Sequence, residues 1–261
     1  LQQTDAVDDL TGVLKFAAKH RMIVLCWGSR NLWEGGKSWY DLDRTKLAEQ
    51  DRVFNAAANA WAKGVDELSK RYGIPRNGFF LCGHSASAQY ALRLALRKPD
   101  YFHAAHIHIP ATYDKPTPEA RSILWCLTTG ELDYGYPGSI KFLKACRALG
   151  YPIIHKAIIG MGHTSHPATT ELGMRFFEYA LEVRKEREAF NKEIANPFSA
   201  TTKQWRDNPN QAWPKSFREP VAIGDTVNQE VFSPKDIDMA PEGFRVMLPS
   251  KLIADAWKIS E

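Results

Sequence analysis

The stretch Phe79-Phe80-Leu81-Cys82-Gly83-His84-Ser85-Ala86-Ser87-Ala88 (FFLCGHSASA) sets the reading of the whole chain. Its first four residues form an apolar, strand-like run, and over residues 87–97 apolar positions recur at helical spacing until Pro99 stops them. A strand that passes directly into a helix makes a very tight turn. The residue at its apex, Ser85, then holds strained backbone geometry and needs small residues on either side. Gly83 supplies the first, and Ser87 stands where such elbows usually carry a second glycine. The string G-x-S-x-S says little alone; its strand-to-helix context makes Ser85 a candidate nucleophile.

Outward from this point the chain alternates. On the N-terminal side, residues 6–19 carry Leu10, Val13, Leu14 and Ala17 at helical spacing, and 22–27 (MIVLCW) reads as a buried strand. A loop-like segment over 29–47 leads to a helix over 49–72, with Phe54, Trp61, Val65 and Leu68 on one face and Gly73 and Pro75 as its stop. On the C-terminal side come strand 104–109, strand 122–128, helix 138–149 closed by Gly150, strand 153–159 and helix 168–187. Strands apolar on both faces, taking turns with helices, predict an α/β fold: a doubly wound, mostly parallel sheet covered on each side. Residues 190–261 break the rhythm, with strand-like pieces near 221–223 and 245–248 and a short closing helix. The expected organisation is a catalytic core over 1–189 with an extension over 190–261 packed on it.

A serine hydroxyl needs a base to take its proton, and the base needs a carboxylate to set its tautomer. Such sheets place their sites at the carboxyl ends of the strands. Gly130-Glu131-Leu132-Asp133 follows one strand and Gly160-Met161-Gly162-His163 the next. Asp133 and His163 are thus the expected partners of Ser85, in the chain order serine, acid, histidine. Glu131 is the competing acid and His166 the competing base. Asp133 is preferred because it lies further into its loop, and His166 is set back because it lies beyond His163, against Pro167.

Composition narrows the class. Of 261 residues, 44% are hydrophobic and 25% charged, which fits an ordinary globular enzyme-sized domain rather than a disordered chain. The 34 basic and 30 acidic residues are interspersed without a basic block, which argues against nucleic acid as a partner. No apolar run approaches the roughly 20 residues of a membrane span, and residues 1–10 lack signal-peptide character. The start carries no initiator Met, so localisation stays open between secreted or periplasmic and cytoplasmic. Cys26, Cys82 and Cys126 sit in apolar strand-like runs and Cys146 in a helical one, without a C-x-x-C pair; all four are expected as buried thiols.

Residues 79–180 resemble the catalytic half of an α/β-hydrolase, nearest to the polyhydroxybutyrate-depolymerase-like and feruloyl-esterase-like branch, through CGHSASAQYALRLALRKPDYF, TTGELD and GMGH. The resemblance extends over about residues 6–187 and departs from the pattern at Ser87. It implies a serine esterase with the triad Ser85, Asp133 and His163, working through an acyl-enzyme without metal or organic cofactor. Its oxyanion would be held by the Ala86 N–H and by a second donor from the loop after the third strand. By the family's strand order, 22–27 is the fourth strand and 79–82 the fifth. The first three strands and the oxyanion loop are then expected before Leu1, or from a second copy or a partner segment.

Trp27 and Trp33 in the loop leaving strand 22–27, Tyr134 beside the acid, and His84 inside the elbow are the expected substrate-binding residues. His106 and His108 alternate on one strand and share a face, but no third ligand is spaced to join them, so no metal is expected. The sequence thus predicts hydrolysis of a small or polymeric carboxylic ester. A serine peptidase or acyl-transferase on the same triad, or a non-catalytic binding protein that keeps the elbow as structure, are the alternatives.

Overall fold

The computed structural model describes residues 4–25, 47–194 and 219–258. Helices α1 (Thr4–Lys19) and α2 (Leu47–Tyr72) precede strand β1 (Phe79–His84). Then come α3 (Ala86–Arg97), β2 (Phe102–His108), β3 (Leu124–Gly130), α4 (Tyr136–Ala148), β4 (Ile153–Ile158) and the long helix α5 (Pro167–Ile194). The four strands form one parallel sheet in the order β1-β2-β3-β4.

Residue parity along the strands divides the core into two layers. Ala105, Ile107, Trp125, Leu127 and Ile153 face α2, α3 and α4, where they meet Phe54, Trp61, Leu92 and Phe142. Ala104, Leu124, Cys126 and Ile154 face the other way, onto Phe16 of α1 and Leu172, Phe176 and Ala180 of α5. Strands β2, β3 and β4 are buried at every position, which is why they read as continuous apolar runs rather than alternating ones. Each large side chain sealed in these layers, such as Leu92 or Leu127, contributes about 1.5–3 kcal/mol through the water it excludes.

Residues 219–258 add β5 (Ala222–Asp225), β6 (Val231–Phe232), β7 (Arg245–Leu248) and α6 (Lys251–Lys258). The strands form an antiparallel sheet in the order β6-β5-β7. Val246, Leu248, Ile253 and Trp257 of these elements join the core layer under α5, and the Trp257 indole N–H donates to the His155 carbonyl at 2.8 Å. The strand-like pieces near 221–223 and 245–248 are therefore the central strand and one edge of a single small sheet. Its third strand, β6, is only two residues long, too short to show a period.

Two expectations need correction. Residues 22–25 form no strand, and Ile23 and Leu25 are about half exposed; residues 26 and 27 lie outside the described residues. An apolar run becomes a strand only where another strand offers it hydrogen bonds, and none of the described strands pairs with 22–25. Cys82 is exposed rather than buried, because β1 is an outer strand of the described sheet, whereas Cys126 and Cys146 are buried and unbridged. Cys26 lies outside the described residues.

Candidate active site

Ser85 occupies the junction of β1 and α3 with φ 53° and ψ −120°, a conformation that a non-glycine residue adopts only when its surroundings enforce it. They do so from both sides. The Ser85 N–H donates to the His108 carbonyl at 3.0 Å, extending the β1–β2 ladder, and the Ser85 carbonyl accepts the first helical bond from the Gln89 N–H at 3.1 Å. A Cβ on Gly83 would stand 2.5 Å from the Ser87 carbonyl oxygen and 2.7 Å from the Ala88 nitrogen, so only glycine lets the turn close. The departure at Ser87 has its own explanation. Its Oγ donates to the His84 carbonyl at 2.7 Å and accepts from the His84 N–H at 3.0 Å. The hydroxyl folds back over the elbow and ties it, which a second glycine could not do.

Three of the predicted side chains meet. Ser85 Oγ lies 2.7 Å from His163 Nε2, and His163 Nδ1 is hydrogen-bonded to Asp133 Oδ2 on the opposite side of the ring. The Asp133 side chain is fully buried, while that of His163 is 29% exposed. The other Asp133 oxygen accepts from the Gly135 N–H at 2.5 Å, and the Tyr136 N–H donates to the Asp133 carbonyl at 2.9 Å, so the loop is wound around its own carboxylate. Gly135 fits because a Cβ there would lie 2.7 Å from the Pro110 carbonyl oxygen and 2.8 Å from Asp133 Oδ1.

The competing candidates are engaged elsewhere. Glu131 Oε2 accepts from the Gly160 N–H at 3.1 Å, and the Glu131 and Leu132 N–H groups donate to the Ile158 and Met161 carbonyls, each at 2.9 Å. Glu131 therefore laces the acid loop to the histidine loop. His166 Nδ1 accepts from the Ala168 N–H at 3.1 Å and so caps the start of α5. Beneath the laced loops Ile109, Ile158, Met161 and Ala168 form a small apolar plug. Ile109 sits at φ 45°, an unusual place for a β-branched residue, as the chain leaves the buried end of β2.

His106 and His108 do share a face, and they share one partner. His106 Nε2 and His108 Nδ1 lie 3.0 and 2.9 Å from the Thr128 hydroxyl, and His108 Nε2 lies 3.5 Å from that of Thr169 at the head of α5. Burial, reinforced by the neighbouring His106 and His84, holds His108 well below the ordinary imidazole range and keeps it neutral. His84 lies 5.2 Å from His108, ring centre to ring centre, and its Nε2 is 3.2 Å from the Ser165 hydroxyl, two residues beyond His163. Thr128, Ser165 and Thr169 were not singled out from the sequence. The one signal was a pair of threonines ending an otherwise apolar strand. Among the described residues no group of three or more His, Cys, Asp or Glu side chains is placed to hold a metal ion.

The remaining predicted residues divide. Ala86 opens α3, where the first N–H groups have no acceptor within the helix and point out of its N-terminus toward the Ser85 side. Tyr134 stands beside His163 with its ring stacked on the imidazole. Trp27 and Trp33 lie outside the described residues. No described helix is long and apolar enough to cross a membrane.

A parallel sheet wound on both faces, with a serine on a strained strand-to-helix turn and an acid and a histidine beyond later strands, is the α/β-hydrolase fold. Solved structures of that fold match. The carboxylesterase from Mesorhizobium loti does so with a TM-score of 0.51 at 19% identity, over 68% of this chain and 85% of its own. Esterase PE8 and the Bacillus cereus carboxylesterase match with TM-scores of 0.45 at 22% and 17% identity, over 56% and 57% of this chain and 71% and 72% of theirs. No protein-family profile and no curated protein matches the sequence. At 19% identity the likeness to the M. loti structure shows the fold and no more.

Proposed function

We propose that this protein is a serine hydrolase of carboxylic esters, with Ser85 as nucleophile, His163 as general base and acid, and Asp133 as the carboxylate that orients the imidazole. The observation that carries the reading is the Ser85 Oγ to His163 Nε2 distance of 2.7 Å, with Asp133 on the far ring nitrogen. Ser85 Oγ attacks the ester carbonyl carbon while His163 Nε2 takes its proton, and the Ala86 N–H helps hold the oxyanion. The imidazolium then protonates the leaving alkoxide, leaving an acyl group on Ser85. Water attacks that acyl carbon, His163 takes the water's proton, and Ser85 leaves with it as the acid departs.

Leu132 and Ile159 belong to the two laced loops and are 69% and 59% exposed, which gives the rim apolar surface suited to an acyl or aryl group. The M. loti carboxylesterase shares the fold, and its named activity agrees with this choice of substrate class. Intact mass after treatment with a fluorophosphonate is expected to show a single adduct, lost in Ser85→Ala. p-Nitrophenyl esters are expected to turn over and the matching anilides not. Faster turnover of anilides would reassign the protein as a peptidase. Absence of label, or hydrolysis undiminished in Ser85→Ala, would remove the proposal.

A further inference from the structure

Resting on the hydrolase reading above, we infer that Tyr134 is a positioning residue that holds the His163 imidazole in its working plane through face stacking. The ring centres of Tyr134 and His163 lie 4.9 Å apart with an interplanar angle of 25°. Tyr134 is nevertheless 67% exposed, so core packing does not account for where it stands.

The His163 side chain is 29% exposed, and the Tyr134 ring backs one face of its imidazole. Its two hydrogen bonds, to Asp133 at Nδ1 and to Ser85 at Nε2, grip opposite edges and define a line across the imidazole. Rotation about the Cβ–Cγ bond swings the two nitrogens off that line and tilts the nitrogen lone pair and N–H away from their best direction. A flat surface on one face of the ring opposes that rotation. Tyr134 directly follows the acid, and the turn in which Gly135 and Tyr136 fold back onto Asp133 carries carboxylate and aromatic ring as one unit. The same placement does a second thing. During acyl transfer the imidazole becomes a cation, and an aromatic face beside it stabilises that charge through the ring quadrupole while excluding water from one side of the Asp133–His163 bond.

The test uses the full chain and three versions: wild type, Tyr134→Ala and Tyr134→Phe. A small fluorophosphonate reports the rate at which Ser85 reacts with little involvement of an acyl pocket. p-Nitrophenyl acetate and p-nitrophenyl octanoate report kcat and KM with short and long acyl chains. Tyr134→Ala is expected to slow labelling and lower kcat by about threefold to tenfold, by the same factor for both esters, with KM little changed. Tyr134→Phe is expected to remain within about twofold of wild type, because the stacking face is retained. Labelling of Tyr134→Ala at the wild-type rate overturns the inference. So does an effect confined to KM and graded with acyl length, which would make Tyr134 a substrate wall, or a Phe variant as impaired as the Ala variant. A wild-type protein that takes no label at Ser85 overturns the hydrolase reading and this inference with it, whereas a labelled wild type beside an unaffected Tyr134→Ala overturns the inference alone. Equal thermal midpoints for the three proteins, expected from the exposure of the side chain, separate positioning from a folding defect.

Discussion

Lowering the pH from 7 to 5 is expected to remove about 4 kcal/mol of folding stability through His103 and His155. His155 on β4 is fully buried and held down at about 3, first by its burial and then by the charge of Arg147. His103 on β2 is held at about 4 by burial, partly offset by its bond to the Ala180 carbonyl and reinforced by Arg187 and Arg184. An unfolded chain returns both to about 6.5. Between the folded and unfolded values the unfolded state binds more protons, so stability rises with pH across this window and is lost as pH falls below about 6.5. At pH 5 each residue then costs about 2 kcal/mol that is almost absent at pH 7. The buried, neutral His108 acts in the same direction. For a domain whose whole stability is on the order of 5–15 kcal/mol this is a large fraction. Urea unfolding followed by tryptophan fluorescence at pH 7 and pH 5 reads the difference as a shift in midpoint at constant slope. His155→Gln, which cannot titrate, should reduce the pH dependence by about 2 kcal/mol whatever it does to stability at pH 7. A wild-type loss below about 1 kcal/mol, or a His155→Gln protein with unchanged pH dependence, would refute the reasoning.

The two carboxylates of the loop after β3 should respond very unequally to loss of charge. Asp133→Asn, which presents the wrong partner to His163 Nδ1, is expected to lower kcat on p-nitrophenyl acetate by about 10³–10⁴. Glu131→Gln, whose amide oxygen can still accept from the Gly160 N–H, should stay within about threefold; a reversal of these two results would exchange their roles. Lys156 is buried with its Nζ 4.2 Å from the Trp257 ring centre and without a hydrogen-bond partner among the described residues. Burial lowers it from 10.5 to about 8, a burden of about 3 kcal/mol that the indole face offsets in part. Lys156→Met is thus expected to raise stability at pH 7 by about 1–3 kcal/mol in the same urea assay. The advantage of Lys156→Met over the wild type should shrink between pH 8 and 10.5, where Lys156 is already neutral in the folded state and still charged in the unfolded one.

The alternation of strands and helices was legible because it is local. Residues buried on both sides of a parallel strand leave an unbroken apolar run, and a helix leaves its period, so β1 to β4 and the helices between them fall close to where the sequence puts them. The same rule over-read residues 22–25, which have the composition of a strand without a described strand to pair with. It could not register the two residues of β6 at all.

The sequence by itself determined the strand-to-helix turn at Ser85 and the order in which serine, acid and histidine follow one another down the chain. Only the tertiary structure set Asp133 rather than Glu131 against the imidazole, turned the Ser87 hydroxyl back onto His84, and laid the Tyr134 ring on the imidazole. Periodicity is written in consecutive residues, whereas a bond between groups 30 or 78 residues apart depends on where side chains point. That direction is set by sheet register and by how two neighbouring loops close on each other, and neither has a local signature.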